Sequence, residues 1–190
     1  IMPVKVLSGD GTGTVEDVVE GIVWAVRSGA QVLSISFGTP GVSEAIERAI
    51  KFARRSGVAV VASAGNDNND IPHIPAALKG VISVSSVEED KVKSPYASYG
   101  SSVDLVAPGS GIRSTFWDGG YATWSGTSFA VPFVSGAAAL LRELAPHGNA
   151  KRIEVILGRT ATCVDDVNPD YAGLLGDGLL NIRKAVRSAD

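Results

Sequence analysis

The chain of 190 residues is poor in cysteine, histidine and charged side chains. Its single cysteine, Cys163, excludes an internal disulfide framework and any metal site built from several cysteines. Lys and Arg number 17 against 20 Asp and Glu, and this net charge of −3 excludes the basic surface typical of nucleic-acid-binding proteins. Charged residues make up only 19%, too few for a highly charged disordered chain. The longest apolar run, residues 129–141, is shorter than the roughly 20 residues that span a bilayer, so it predicts a buried helix and no membrane contact.

The chain alternates short apolar runs with segments of helical periodicity, and its 22 glycines, well above the usual share of about 7%, indicate many tight turns. Apolar runs predict strands at 4–7, 31–37, 58–64, 81–87 and 104–107, with a glycine-rich hairpin at 109–121. Helical spacing predicts helices at 15–28, 43–56, 150–160 and 180–188, and one that starts near Ser128. Such alternation is typical of βαβ units. We therefore predict one α/β domain, a three-layer sandwich with a mostly parallel central sheet.

A serine stands at the start of the longest apolar helix, in the segment WSGTSFAVPFVSG (124–136). Helix N-termini carry unpaired N–H groups and the positive end of the helix dipole, so negative charge that develops beside Ser128 is stabilised. Gly126 permits a close approach of a substrate backbone. The alternative is that Ser128 merely caps a buried helix, a common role for serine.

An asparagine follows the third predicted strand, in the segment VVASAGNDN (60–68). Ligands of open α/β sheets bind outside the carboxyl ends of the strands. Asn66 lies at such an end, where its side-chain amide can donate to an oxyanion. The alternative is an asparagine that only serves a turn.

These segments together resemble the subtilisin-like serine proteases. SGTSFAVPFVSG resembles the active-serine motif, ASAGN the oxyanion-asparagine motif and SISFG the substrate-pocket strand. VKVLSGDGTG resembles the glycine-bearing edge strand, and DLVAPG the strand before the final hairpin. The motifs follow the family order over essentially the whole chain. The resemblance implies a parallel α/β sandwich with a buried serine helix, in agreement with the pattern of elements.

The resemblance also implies roles for particular residues. Ser128 corresponds to the nucleophile and Asn66 to the oxyanion-hole side chain, with the backbone N–H of Ser128 as second donor. Gly11, Thr12 and Gly13 correspond to the edge that pairs with an extended peptide substrate. Ser36, Phe37 and Gly38 correspond to the opposite wall of the substrate cleft. Ala64 and Gly65 correspond to the floor of the main specificity pocket.

The chain departs from the family pattern in one respect. The triad of the family runs Asp, His, Ser along the chain, and its Asp and His segments belong upstream of residue 4, where only Ile-Met-Pro stands. We therefore expect residues 1–190 to be the C-terminal portion of a single peptidase domain, inactive alone, whose partner is the missing N-terminal portion. His73 and His147 lack the family context and are predicted to be surface or loop histidines. No targeting segment is recognisable, and the resemblance implies a secreted protein.

Other candidate sites are weaker. We expect no required cofactor. Members of the resembled family often bind structural calcium, and two acidic clusters could supply oxygen ligands, Asp67 with Asp70 and Asp165 with Asp166 and Asp170. The alternative for both clusters is a solvated loop. Neither cluster has EF-hand spacing, so we assign no metal ligand. Cys163 is predicted to be a small buried residue.

Three functions remain open at this point. The first is a serine endopeptidase that cleaves extended peptide or protein substrates. The second is a non-catalytic module of the same fold that binds extended peptide without cutting it. The third is a nucleotide-binding α/β domain, which would need a phosphate loop; the segment GDGTGT (9–14) does not have the G-x-G-x-x-G pattern.

Overall fold

Four parallel strands form the central sheet in the computed structural model, which describes residues 1–145 and 149–189. The strands of the molecule are β1 (Val32–Ile35), β2 (Thr39–Pro40), β3 (Ala59–Ser63), β4 (His73–Ile74), β5 (Ile82–Val87), β6 (Leu105–Pro108), β7 (Ile112–Thr115) and β8 (Tyr121–Trp124). The central sheet has the order β1-β3-β5-β6, and every pair in it is parallel. Two antiparallel pairs, β2 with β4 and β7 with β8, lie outside it. The predicted α/β fold with a parallel central sheet is confirmed.

Within the described residues, five α-helices cover this sheet: α1 (Val15–Arg27), α2 (Glu44–Arg55), α3 (Thr127–Leu144), α4 (Ala150–Thr160) and α5 (Ile182–Arg187). Successive residues of β3 point to opposite faces, as the pleat of a strand requires. Val60 and Ala62 pack in one apolar cluster with α1 and α2, whereas Ala59 and Val61 pack in a second with α3, α4 and α5. The sheet is therefore buried between two helical layers.

The helix starts follow from local sequence. The Thr14 hydroxyl accepts a hydrogen bond from the Asp17 backbone N–H while the Asp17 carboxylate accepts from Thr14, which forms a capping box. Ser43 caps α2 by accepting from the backbone N–H of Ile46. These two caps fix the entries of α1 and α2 within one residue of the predicted starts.

Residues 4–7, predicted as a strand, form none. Val6 packs instead against the helical layer, where Gly21 of α1 leaves room for its side chain. The outer edge of β1 pairs with no strand of the described chain. A cleft of about 620 Å³ lies between this edge, residues 1–6, α1 and α3. The prediction was wrong because apolar periodicity indicates burial, whereas a strand also needs a neighbour for its backbone groups.

Cys163 is exposed, so the prediction of a buried cysteine was wrong. It follows α4, in a segment whose neighbours Thr162 and Val164 are half-buried and buried. Because this segment is neither helix nor strand, its sequence has no regular spacing of apolar residues from which the exposure of Cys163 could be predicted. Within the part of the chain that the structure describes, no helix has the length and apolar character to cross a membrane.

Candidate active site

Ser128 is the second residue of α3 and lies half-buried beside the carboxyl end of β1. Its hydroxyl donates a hydrogen bond to the backbone carbonyl of Ser36 at 3.0 Å. The Ser36 hydroxyl donates in turn to the backbone carbonyl of Ser128, also at 3.0 Å. The fold therefore joins the serine helix to one of the predicted substrate walls through a reciprocal pair of hydrogen bonds.

Asn66 lies just beyond the carboxyl end of β3, and its side chain is held by Thr127. The Asn66 Oδ1 accepts from the Thr127 backbone N–H at 2.9 Å and is 3.0 Å from the Thr127 hydroxyl. A backbone N–H can only donate, so the oxygen of the amide must face Thr127 and Nδ2 is left as a donor. Sequence analysis missed this fully buried threonine. The only indication of its role in the sequence was its position immediately before Ser128.

Two N–H donors thus lie at the start of α3, the Asn66 Nδ2 and the backbone N–H of Ser128. The Ser128 N–H belongs to the first helical turn, where backbone donors have no intrahelical acceptor. Across residues 1–145 and 149–189, neither group donates to a protein acceptor. Free donors of this kind can stabilise negative charge on an oxygen bound between them.

The predicted pocket floor and wall approach each other across His73. An added Cβ at Gly65 would come within 3.1 Å of the His73 Nδ1, and one at Gly38 within 3.5 Å of the His73 Cβ. Gly65 has φ of +118°, a conformation that favours glycine. The absence of a side chain at Gly65 therefore makes room for the imidazole.

His73 is not the surface or loop histidine that the sequence predicted. It belongs to β4, its side chain is only 13% exposed, and its Nε2 lies 3.2 Å from the Asp67 Oδ2. The prediction failed because β4 has only two residues, too few to show a period, and because the partner Asp67 lies on the preceding loop. His147, the other histidine, lies outside the described residues.

The predicted peptide-binding edge, residues 11–13, lies in an exposed loop. The carbonyl of Thr12 accepts from the Ser8 backbone and hydroxyl, and the Gly11 N–H donates to the Ser8 carbonyl. Hydrogen bonds from Ser8 and Thr12 lower the pKa of the Asp10 carboxylate to about 2. The backbone groups of Gly11 and Thr12 are therefore engaged within the loop, and a peptide that paired with this edge would have to displace some of these bonds.

Comparison with known proteins decides the family. The model of the subtilase family of peptidases matches residues 1–178. The chain belongs to the subtilase family. It is 35% identical over 184 residues to subtilisin BL of Lederbergia lenta, covering 97% of this chain and 66% of that protein. It is 38% identical over 188 residues to thermitase of Thermoactinomyces vulgaris, covering 98% of this chain and 65% of that protein. The chain thus spans about two thirds of the length of these relatives.

Solved structures of similar fold are also proteases. The prenylagaramide maturation protease PagA superposes with a TM-score of 0.88 at 28% identity, over 96% of this chain and 70% of that one. A serine-to-alanine mutant of the protease domain of PatA superposes with a TM-score of 0.85 at 30% identity, over 97% and 70% of the two chains. Subtilase membership and these neighbours support a serine protease.

Within the described part of this subtilase chain, Ser128 has no general base. Its hydroxyl donates to the Ser36 carbonyl, and neither an imidazole nor a carboxylate hydrogen-bonds to it. His73, which could have served, is instead paired with Asp67. A serine hydroxyl without a base is a weak nucleophile.

The acidic clusters do not assemble a metal site. Asp67 faces His73, and one oxygen of Asp165 accepts from the Gly173 backbone N–H at 3.3 Å. In the described ranges, no three or more His, Cys, Asp or Glu side chains gather as metal ligands would.

Proposed function

We propose that the protein is a serine endopeptidase in which Ser128 forms an acyl-enzyme and Asn66 stabilises the oxyanion. The observation that carries the proposal is the orientation of the Asn66 amide. Thr127 holds the amide oxygen at 2.9 Å, so the amide nitrogen remains a free donor beside the N–H of Ser128. The Asn66 oxygen satisfies an unpaired N–H of the first turn of α3, whereas its Nδ2 has no role in that contact and remains available to an oxyanion.

The reaction then follows from the positions of these groups. The Ser128 Oγ attacks the scissile carbonyl carbon, and its proton passes to a general base from outside these 190 residues. The carbonyl oxygen becomes an oxyanion that accepts from the Asn66 Nδ2 and the Ser128 N–H. The C–N bond breaks as the base returns its proton to the leaving amine. Water then attacks the acyl carbon and gives a proton to the base. The base passes this proton to the Ser128 Oγ as the ester bond breaks, so the acid product leaves and the free serine is restored.

The substrates are extended peptides or proteins. The walls at Ser36–Gly38 and the small residues Ala64 and Gly65 support a pocket with room for a medium or large apolar side chain immediately before the cleaved bond. A peptide strand along residues 11–13 would contribute main-chain hydrogen bonds. The family resemblance supports a secreted enzyme, which a full-length sequence with a signal segment would test.

The missing base belongs to a further portion of the same domain, which we place in the cleft beside β1. The cleft is lined largely by apolar side chains of residues 1–6, α1, β1 and α3. The outer edge of β1 offers unpaired backbone groups along it, and native proteins normally shield apolar strand edges of this kind. An extended apolar segment there would complete the sheet next to Ser36, the residue that holds the Ser128 hydroxyl.

A second candidate is a non-catalytic module that binds extended peptide. The observation in its favour is that the Ser128 hydroxyl is bonded to the Ser36 carbonyl and to no base within the described ranges. The two candidates differ in whether a longer protein carrying this chain supplies Asp and His beside Ser128.

A fluorophosphonate probe, which labels activated serines, separates the candidates. We expect the 190-residue chain alone to label no faster than a Ser128→Ala control, because loss of the triad base costs on the order of 10⁶ in kcat, a magnitude measured in subtilisin of this same family. A longer protein containing the family's upstream motifs should label rapidly at Ser128. Failure of that longer protein to label would favour the binding module. Rapid labelling of the 190-residue chain would mean that a histidine within it acts as the base.

A further inference from the structure

Lys93 is a buried lysine, only 5% exposed, and no other Asp, Glu, Lys or Arg of the described chain is so deeply buried. Its ammonium donates to the Ala97 carbonyl at 2.8 Å, the Ser94 carbonyl at 3.0 Å and the Asn68 Oδ1 at 2.8 Å. An ammonium has three donors, so all of them are used. Burial lowers the pKa of this lysine, as expected for a charge removed from water.

The acceptors of Lys93 belong to two different segments. Ser94 and Ala97 lie in the turn that follows β5, whereas Asn68 lies on the loop that carries Asn66. The ring of Tyr171 lies 4.7 Å from the Lys93 Nζ and that of Tyr99 5.4 Å, distances at which aromatic faces attract a cation. No carboxylate of the described residues pairs with it. The ammonium therefore joins the two segments through neutral oxygens and rings.

The loop that carries Asn66 depends on the same turn along its whole length. Asp67 donates its backbone N–H to the Ser98 hydroxyl, and Asn68 donates its backbone N–H to the Tyr96 carbonyl at 2.9 Å. Asn68 has φ of +49°, a left-handed conformation that asparagine adopts more readily than other non-glycine residues and that contacts of its side chain can support. The Lys93 ammonium on the Asn68 side chain is one such support.

We infer that Lys93 is a positioning residue for the oxyanion hole: its ammonium fixes Asn68 and so holds the Asn66 amide in the orientation that leaves Nδ2 facing the active site. Asn68 is two residues from Asn66, and Thr127 binds the amide from the opposite side. The Asn66 loop is thus held at both ends, by Thr127 at the amide and by Lys93 beyond it. This inference rests on the proposed function, because it needs Asn66 to act on an oxyanion.

The test uses the complete enzyme, assayed on a peptide substrate with active sites counted by a fluorophosphonate. Lys93→Met keeps the length of the side chain and removes its charge. We expect kcat per active site to fall about 10- to 100-fold with little change in KM, since small misplacement of a catalytic donor can cost about 10²-fold. Lys91→Met is the matched control, because it removes the same charge from an exposed position two residues away, and it should leave kcat unchanged.

A double-mutant cycle with Asn66→Ala identifies the route of the effect. If Lys93 acts through Asn66, Lys93→Met should have no further effect on kcat once Asn66 is alanine. Losses that multiply would overturn the inference and leave Lys93 a general structural residue. If Asn66→Ala itself left kcat unchanged, the proposed oxyanion role would fail instead, so the two failures are distinguishable.

Variants of Asn68 keep the inference testable even where Lys93→Met does not fold. Asn68→Gly removes the acceptor while tolerating the left-handed backbone, and it should lower kcat in the same way. Asn68→Asp keeps an oxygen for the ammonium and should restore kcat close to that of the parent. Equal kcat values for Asn68→Gly, Asn68→Asp and the parent would overturn the inference.

Discussion

Asp104, just before β6, has a raised pKa, so its contribution to the stability of the fold falls as pH rises. Most carboxylates contribute in the opposite direction. Its Oδ2 accepts from the Ser83 backbone N–H of β5 at 2.8 Å. Burial is the largest cause that raises its pKa from 3.8 to about 6, and the nearby negative charges of Glu154 and Asp177 add to it. The hydrogen bond from Ser83 acts in the other direction but is outweighed.

The sign follows from the two protonation equilibria. The folded state binds the Asp104 proton more tightly than the unfolded state, so the protonated acid favours folding. This contribution is fully present below the unfolded pKa of 3.8 and is lost as pH rises through the folded pKa of about 6. A shift of about two units corresponds to roughly 3 kcal/mol of unfolding free energy. Asp104→Asn keeps an oxygen for Ser83 and removes the titration.

Urea unfolding at a series of pH values from 4 to 7.5, followed by circular dichroism, measures this effect. The free energy of unfolding of Asp104→Asn relative to the parent should rise by roughly 2–3 kcal/mol between the ends of the series, with most of the change below pH 6.5. Asp118→Asn is the matched control, because Asp118 also accepts a backbone N–H, from Gly120, but is exposed. A difference between Asp104→Asn and the parent that stayed constant across the series would refute the reasoning.

Two further predictions concern the complete enzyme. Asn66→Ala should lower kcat by about 10²–10³ with little change in KM, because the amide binds the oxyanion and not the ground state. This magnitude is taken from subtilisin, a member of the same family. A raised KM at constant kcat would instead make Asn66 a substrate-binding residue. Cleavage of a peptide library should favour medium or large apolar residues immediately before the cut, since Ala64 and Gly65, the predicted pocket floor, carry no charged side chain. Dominance of acidic or basic residues at that position would contradict this pocket.

Features that depend on a few neighbouring residues could be predicted from the sequence. Thr14 and Ser43 cap helices where predicted, because a cap needs only a hydroxyl and a backbone N–H three residues away. The parallel sheet followed from the alternation of strand and helix along the chain. Ser128 and Asn66 come together because the start of α3 lies against the carboxyl ends of the parallel strands.

Features that depend on a distant partner could not be predicted. Residues 4–7 have the composition of a strand, but no described strand lies beside them. The His73 imidazole packs against Gly65 and pairs with Asp67, and both of these residues follow a different strand. Lys93 has the charge of a surface residue, and only its three oxygen acceptors explain its burial.

The two halves of the candidate site differ in what they need from outside the chain. The proposed oxyanion half has both of its donors within the described chain, because the oxygen of the Asn66 amide is bound by Thr127 and the N–H of Ser128 is free in the first turn of α3. The nucleophilic half is not, because the Ser128 hydroxyl donates to the Ser36 carbonyl, which cannot take up its proton. A productive base must therefore take that hydrogen bond from Ser36 at the end of β1. A segment that covered the unpaired edge of β1 would lie on the side of Ser36, whose carbonyl now accepts that hydrogen bond.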